Sequence, residues 1–209
     1  MTQKQTVLAL KVALWVSALT PGAWLLAGIF RGWLGANPIE KLTHVTGMTA
    51  LVLLLITLAV TPVRRFTGWN PIIRIRRPLG LFAFFYALAH FSIWFVFDMV
   101  FNVSWMVADI LERKYITVGM AALLVLLPLA ITSTKGWIRR LGKRWTKLHQ
   151  GAYIAAGLGV VHYYWLVKAD VRLPLIYAGC LLALLVVRAP QFARRRGPGN
   201  GPKAKASAT

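Results

Sequence analysis

Six apolar stretches, each close to the roughly 20 residues needed to cross a hydrocarbon core, fill most of this 209-residue chain. They lie near 8–30, 43–62, 78–98, 115–132, 148–167 and 172–188, and the connections between them are too short to form a soluble domain. The expected fold is therefore all-α: an integral membrane bundle of six transmembrane helices over 1–188. A tail over 189–209, rich in Arg, Lys, Gly and Pro, is expected to be basic and disordered. Composition agrees with a membrane chain, at 58% apolar with nine Trp and ten Phe. The first stretch is too long for the apolar region of a signal peptide and lacks a small-x-small cleavage site, so it is kept as a helix.

A formal charge of +20 suggests nucleic acid until its distribution is examined. Lys4 and Lys11 precede or enter the first stretch, and Arg64, Arg65, Arg74, Arg76 and Arg77 lie between the second and third. Lys135, Arg139, Arg140, Lys143, Arg144 and Lys147 lie between the fourth and fifth, and more basic residues follow the sixth. The alternate side carries only Arg31, Lys41, Arg113, Lys114, Lys168 and Arg172, together with all five acids: Glu40, Asp98, Asp109, Glu112 and Asp170. The positive-inside rule then puts both termini in the cytoplasm. Membrane lipid, and no nucleic acid, is the partner this charge implies. The single cysteine, Cys180, falls inside the sixth stretch and reads as a small core hydrophobe.

Ionisable side chains inside apolar stretches are functional candidates, and histidine is the commonest metal ligand. His90 and His162 lie within the third and fifth stretches, and His149 near the start of the fifth. At 1.5 Å per residue from Pro78 and from Leu148, His90 stands about 18 Å and His162 about 21 Å above the cytoplasmic end. The two heights match, so one haem held axially by His90 and His162 is a reasonable geometry; the alternative is a hydrogen bond from each histidine to a neighbouring helix. His149 lies about 20 Å below His162. At its level the third stretch offers Arg76 and Arg77 instead of a histidine, so an inner haem would have an unusual partner, be five-coordinate, or be absent. His149 also reads as an interfacial residue beside Lys147.

Thirteen residues separate His149 from His162, which leaves them about 140° apart on a straight helix; a π-bulge or bend would bring them back to one face. Gly151, Gly157 and Gly159 fall in the interval and suit either approach of a flat macrocycle or close helix packing. His44 opens the second stretch, where Thr43 reads as a helix cap and His44 as structural or part of a quinone or flavin pocket. No acid or thiol joins the histidines at depth, which disfavours zinc. Trp137, Leu141, Trp145 and Leu148 recur at helical spacing among basic residues. They predict an amphipathic helix lying in the interface, either an anchor or an anion or reductase site. Phe101, Trp105 and Met106, between Asp98 and Glu112, form either a partner-facing surface or an aromatic belt.

Several separated motifs resemble one family. Arg76-Arg77-Pro78-Leu79-Gly80-Leu81 leading to Ala89-His90 resembles the third helix of the MsrQ (YedZ) family, within the ferric reductase-like superfamily. Thr132-Ser133-Thr134, Leu141-Gly142-Lys143-Arg144-Trp145, Leu148-His149, His162-Tyr163, His44-Val45-Thr46-Gly47 and Pro174-Leu175-Ile176-Tyr177-Ala178-Gly179 match it too. The resemblance implies a ferric reductase-like haem-binding transmembrane domain over 1–188 in the bacterial inner membrane. It implies haem b, one or two, on His90, His162 and His149, with Arg76 and Arg77 as an inner-haem partner or propionate contacts. It also implies FMN, at residues left unassigned. Electrons are expected from the quinone pool or a flavin reductase and are passed to the periplasmic molybdopterin-dependent methionine sulfoxide reductase subunit MsrP. The wider relatives carry two histidine pairs, and here an arginine stands where one inner histidine would be.

No G-x-G-x-x-G turn leads into a helix, so no nicotinamide- or FAD-binding domain is expected in the chain. Two other functions compete: a metalloreductase acting on ferric or cupric ions, and a transporter using the histidines as a proton relay. The absence of an acid within a span and of an evident inverted repeat weighs against the transporter.

Overall fold

The computed structural model describes residues 2–167 and 169–196, and every regular element among them is helical. Helix α1 covers Gln3–Arg31, opened by a Thr2/Gln5 capping box and closed by Gly32 in the left-handed region at φ 69°. Helix α2 (Pro38–Thr67) starts from Asn37, whose side chain caps Glu40 N–H, with Pro38 in the first turn; Gly68 ends it at φ 68°. A 3₁₀ turn over Asn70–Ile75 leads into α3 (Arg76–Ile93), which continues as a π-helical turn over Trp94–Asp98. Then come α4 (Val103–Glu112), α5 (Lys114–Ile131), two short helices α6 (Lys135–Leu141) and α7 (Lys143–Leu148), α8 (Gly151–Leu166) and α9 (Arg172–Arg196).

Helices α1, α2, α5, α9 through Ala189, and the run Asn70–Asp98 are long and apolar enough to cross a membrane, five among the described residues. The expected fifth stretch, 148–167, is shorter than its apolar run suggests. His149 and Gln150 form a turn, so α8 begins only at Gly151 and its 16 residues span about 24 Å. The single amphipathic helix expected between the fourth and fifth stretches is instead two pieces. Gly142, at φ 49° and ψ −121°, breaks it between α6 and α7. Thr43 is not a cap: the helix starts at Pro38, and the Thr43 hydroxyl donates to the Ile39 carbonyl inside it. At the other end of the chain, α9 runs on to Arg196, past the expected boundary at 188. The rest of the expected tail, 197–209, lies outside the described residues. Cys180 is exposed on α9 and is not a core residue.

The bundle is built from two hairpins. Helix α2 packs along α3, and α5 along α8; the hairpins join through α2 against α8 and α3 against α5. Apolar burial drives little association within lipid, so close approach depends on small side chains. Ala83, Ala155 and Ala156 are fully buried at the centre beside Leu58. A Cβ on Gly151 would lie 3.3 Å from Val125, and one on Gly159 3.4 Å from Leu51. Those two glycines serve packing, whereas Gly157 faces open space.

Helix α1 packs against this core from outside, along α2 and α3. Pro21 cannot donate a hydrogen bond, and its ring crowds the preceding turn. At the adjoining pair the Tyr86 hydroxyl of α3 enters the ladder, accepting from Gly22 N–H at 3.0 Å and donating to the Ala18 carbonyl at 2.7 Å.

Candidate functional site

In an α-helix the carbonyl of residue i points toward residue i+4, and a glycine there lets a ring from another helix come alongside it. Helix α2 provides this with Thr43 and Gly47. His90 of α3 reaches across to it, its Nδ1–H donating to the Thr43 carbonyl at 2.8 Å. An ideal Cβ on Gly47 would lie only 2.9 Å from that Nδ1. The same arrangement recurs 72 residues later in the second hairpin. There His162 of α8 donates Nδ1–H to the Tyr115 carbonyl of α5 at 2.6 Å, and a Cβ on Gly119 would lie 2.6 Å from it. Thr43, Gly47 and His90 thus correspond to Tyr115, Gly119 and His162 at one constant offset. The two hairpins run in the same direction, so this is a parallel repeat and not an inverted one.

A carbonyl oxygen only accepts, which assigns both histidines the Nδ1–H tautomer and leaves each Nε2 with a lone pair. The two rings are neighbours, with centroids 6.0 Å apart and planes at 85°. Two imidazoles on opposite sides of one metal, with metal–nitrogen bonds of about 2 Å, have ring centres about 6 Å apart. Both side chains are half-buried. The structure therefore brings together two of the four histidines in a geometry that suits axial ligation of one iron.

Tyr115 links the pair to the acidic end of the bundle. Its ring lies 6.1 Å from that of His162, and its hydroxyl accepts from Arg113 at 3.3 Å. Arg113 Nε in turn pairs with the buried Asp109 carboxylate at 2.8 Å. His44 is exposed beside Thr43 and does not join the pair.

The model for the ferric reductase like transmembrane component matches residues 46–160. A protein from Rhodospirillum rubrum is 50% identical over 193 residues, covering 92% of this chain and 93% of its own; it is the protein-methionine-sulfoxide reductase heme-binding subunit MsrQ. The chain belongs to the MsrQ family. Proteins of the same name from Herminiimonas arsenicoxydans, at 45% identity over 91% of this chain and 89% of their own, and from Xanthomonas axonopodis pv. citri, at 47% over 86% and 85%, agree. No solved structure matches.

At the basic end of this MsrQ-family bundle, His149 lies in the turn between α7 and α8, so the angular offset computed for one continuous helix does not apply to it. The π-helical turn lies elsewhere, at Trp94–Asp98. His149 Nε2 is 3.1 Å from the Thr132 hydroxyl, and its ring stacks on Trp145 at 4.0 Å. Trp145 Nε1 donates to the Thr132 carbonyl at 3.0 Å. Arg76 is half-buried and its charge acts on His149, whereas Arg77 is exposed. Arg188 of α9 is buried there too, with its guanidinium 5.3 Å from the Tyr153 ring centre.

Sequence reasoning missed Thr43, Tyr115, Gly47 and Gly119 as parts of the site. A signal was present: a glycine 43 residues before a histidine, twice. Arg188 carries no such signal, since it stands at the last position of the sixth apolar stretch.

Proposed function

We propose that this chain is a membrane electron-transfer subunit that holds haem b between His90 and His162. The observation that carries the reading is the imidazole pair with ring centres 6.0 Å apart, each ring fixed by a carbonyl through Nδ1. The residues fit the group: two Nε2 lone pairs for iron, apolar helices around them, and glycines where a side chain would crowd the rings. Bound haem supplies one-electron transfer. His90 and His162 would hold the group through Nε2 with their tautomer fixed, and hydrogen bonding to a carbonyl would make each a stronger donor to the metal.

In this reading six helices span the bacterial inner membrane with both termini cytoplasmic, α8 being the short member. The charge asymmetry supports that orientation. Electrons enter at the basic end from the quinone pool or a cytoplasmic flavin reductase. They leave at the acidic end toward a periplasmic molybdoenzyme, MsrP, that repairs methionine sulfoxide in proteins. The names of the relatives support the repair role. FMN is part of the proposal without assigned residues. His149, with Arg76 beside it, is the proposed place for a second haem. Ligation through Nε2 there requires the ring to leave Thr132.

The test is optical. Purified wild type should show dithionite-sensitive low-spin haem bands, and His90→Ala and His162→Ala should each abolish the haem they share. Absence of such bands from well-loaded protein would overturn the reading. Electron delivery is tested by reoxidation of the reduced protein with the molybdoenzyme and methionine sulfoxide. Rapid reduction of ferric chelates without that reoxidation would favour a metalloreductase.

A further inference from the structure

We propose that Gly47 and Gly119 are positioning residues that set the planes of the two axial imidazoles, each acting as the seat on which a histidine ring rests while its Nδ1–H reaches the carbonyl one turn earlier. The inference rests on the axial reading of His90 and His162, and it concerns what fixes the rings, not whether they bind iron.

Two independent copies carry it. In both hairpins the carbonyl, the glycine four residues on and the histidine 47 residues after the carbonyl stand in the same relation. In both, the side chain that glycine lacks would fall within 3.0 Å of the imidazole: 2.9 Å from Nδ1 and 3.0 Å from Cε1 of His90, and 2.6 Å and 2.8 Å from those of His162. Neither ring has slack to absorb a methyl group, because Nδ1 is already held at 2.8 Å and 2.6 Å from its carbonyl. A Cβ would push the ring off the helix, lengthen the Nδ1–H···O bond and turn the imidazole plane away from the present 85° relation. Helix packing does not account for these glycines, since the ring is what fills the space. Neither glycine needs a left-handed backbone, so alanine costs nothing conformationally at either place.

Loss of the carbonyl bond weakens imidazole donation to the metal, which favours the reduced state and raises the midpoint potential. Turning one ring from the perpendicular arrangement lowers the anisotropy of the ferric low-spin electron paramagnetic resonance signal. The contact is tighter at Gly119, so Gly119→Ala has the larger effect. Gly157→Ala is the control: it lies on α8 near His162, yet its added Cβ meets nothing within 4 Å.

The experiment compares the midpoint potential and the ferric resonance spectrum of the full-length wild type, Gly47→Ala, Gly119→Ala and Gly157→Ala in detergent. Both seat variants should show an upward midpoint and a contracted spectral spread, with Gly119→Ala leading and Gly157→Ala matching wild type. Loss of the low-spin haem from a seat variant that keeps wild-type helix content is the same displacement carried further and supports the seats. Seat variants with wild-type potential and spectrum would overturn the proposal. So would a Gly157→Ala variant shifted as much as they are. If the wild-type low-spin spectrum survived His90→Ala or His162→Ala, the axial reading itself would fall, and that result is distinct from an unchanged glycine variant.

Discussion

His149 Nε2 lies 3.1 Å from Thr132 Oγ1, and the Thr132 hydroxyl also lies 2.6 Å from the Pro128 carbonyl. The hydroxyl has one proton, and the carbonyl can only accept it, so toward His149 the oxygen is an acceptor and Nε2 carries the hydrogen. This is the tautomer opposite to that of His90 and His162. With Trp145 stacked on the ring, His149 is tied into the end of the bundle.

Thr132→Val keeps the shape and removes both hydroxyl contacts. Thermal unfolding in detergent should show a loss of about 1–2 kcal/mol, while the low-spin signal of the His90/His162 pair stays unchanged. A collapse of that signal would mean the two ends of the bundle are coupled in a way the structure does not suggest.

The 85° angle between the His90 and His162 planes has a spectroscopic consequence. Perpendicular axial imidazoles leave two iron d-orbitals nearly equal in energy, which gives a highly anisotropic ferric low-spin signal. Electron paramagnetic resonance of the oxidised protein should show this type. A rhombic spectrum typical of parallel imidazoles would contradict the ring arrangement.

Tyr86 and Pro21 should be energetically coupled. Tyr86→Phe leaves Gly22 N–H and the Ala18 carbonyl without their bridging hydroxyl, at a cost of about 1–3 kcal/mol. With Pro21→Ala the ladder can close directly, so the double variant should recover most of that loss. A double-mutant cycle on thermal stability measures the coupling. Strict additivity would show that the hydroxyl does not serve the turn that holds the proline.

Asp109 is buried, while its partner Arg113 is more than half exposed. Arg113→Leu should cost about 1–2 kcal/mol, more than an ordinary surface pair because it strands a buried carboxylate, yet less than a fully buried pair. Adding Asp109→Asn should restore part of the stability. Equal melting temperatures for wild type and Arg113→Leu would refute the pairing.

The apolar runs made α1, α2, α3, α5 and α9 legible, because a membrane helix must be apolar along its whole length. Rise per residue was enough to bring His90 and His162 to a common height. Their tethers were not legible, since Thr43 and Tyr115 contribute backbone carbonyls that no side chain advertises. Gly142 reads in the sequence as one residue in an amphipathic run, and only its backbone angles reveal the break between α6 and α7. The sequence around His149 reads as a continuous helix because Leu148 and Ala152 are as apolar as any span, whereas the chain turns between them.

The duplicated hairpins also bear on how the molecule is made. His90 is synthesised 72 residues before His162, and each ring is secured within its own hairpin, His90 by α2 and His162 by α5. The first half-site can therefore form as soon as α3 folds back on α2, long before its counterpart exists. The gap between the rings appears only when α8 has been threaded beside α5. Any guest that needs both imidazoles must wait for α8, which makes its capture a late checkpoint of assembly and not an early nucleus.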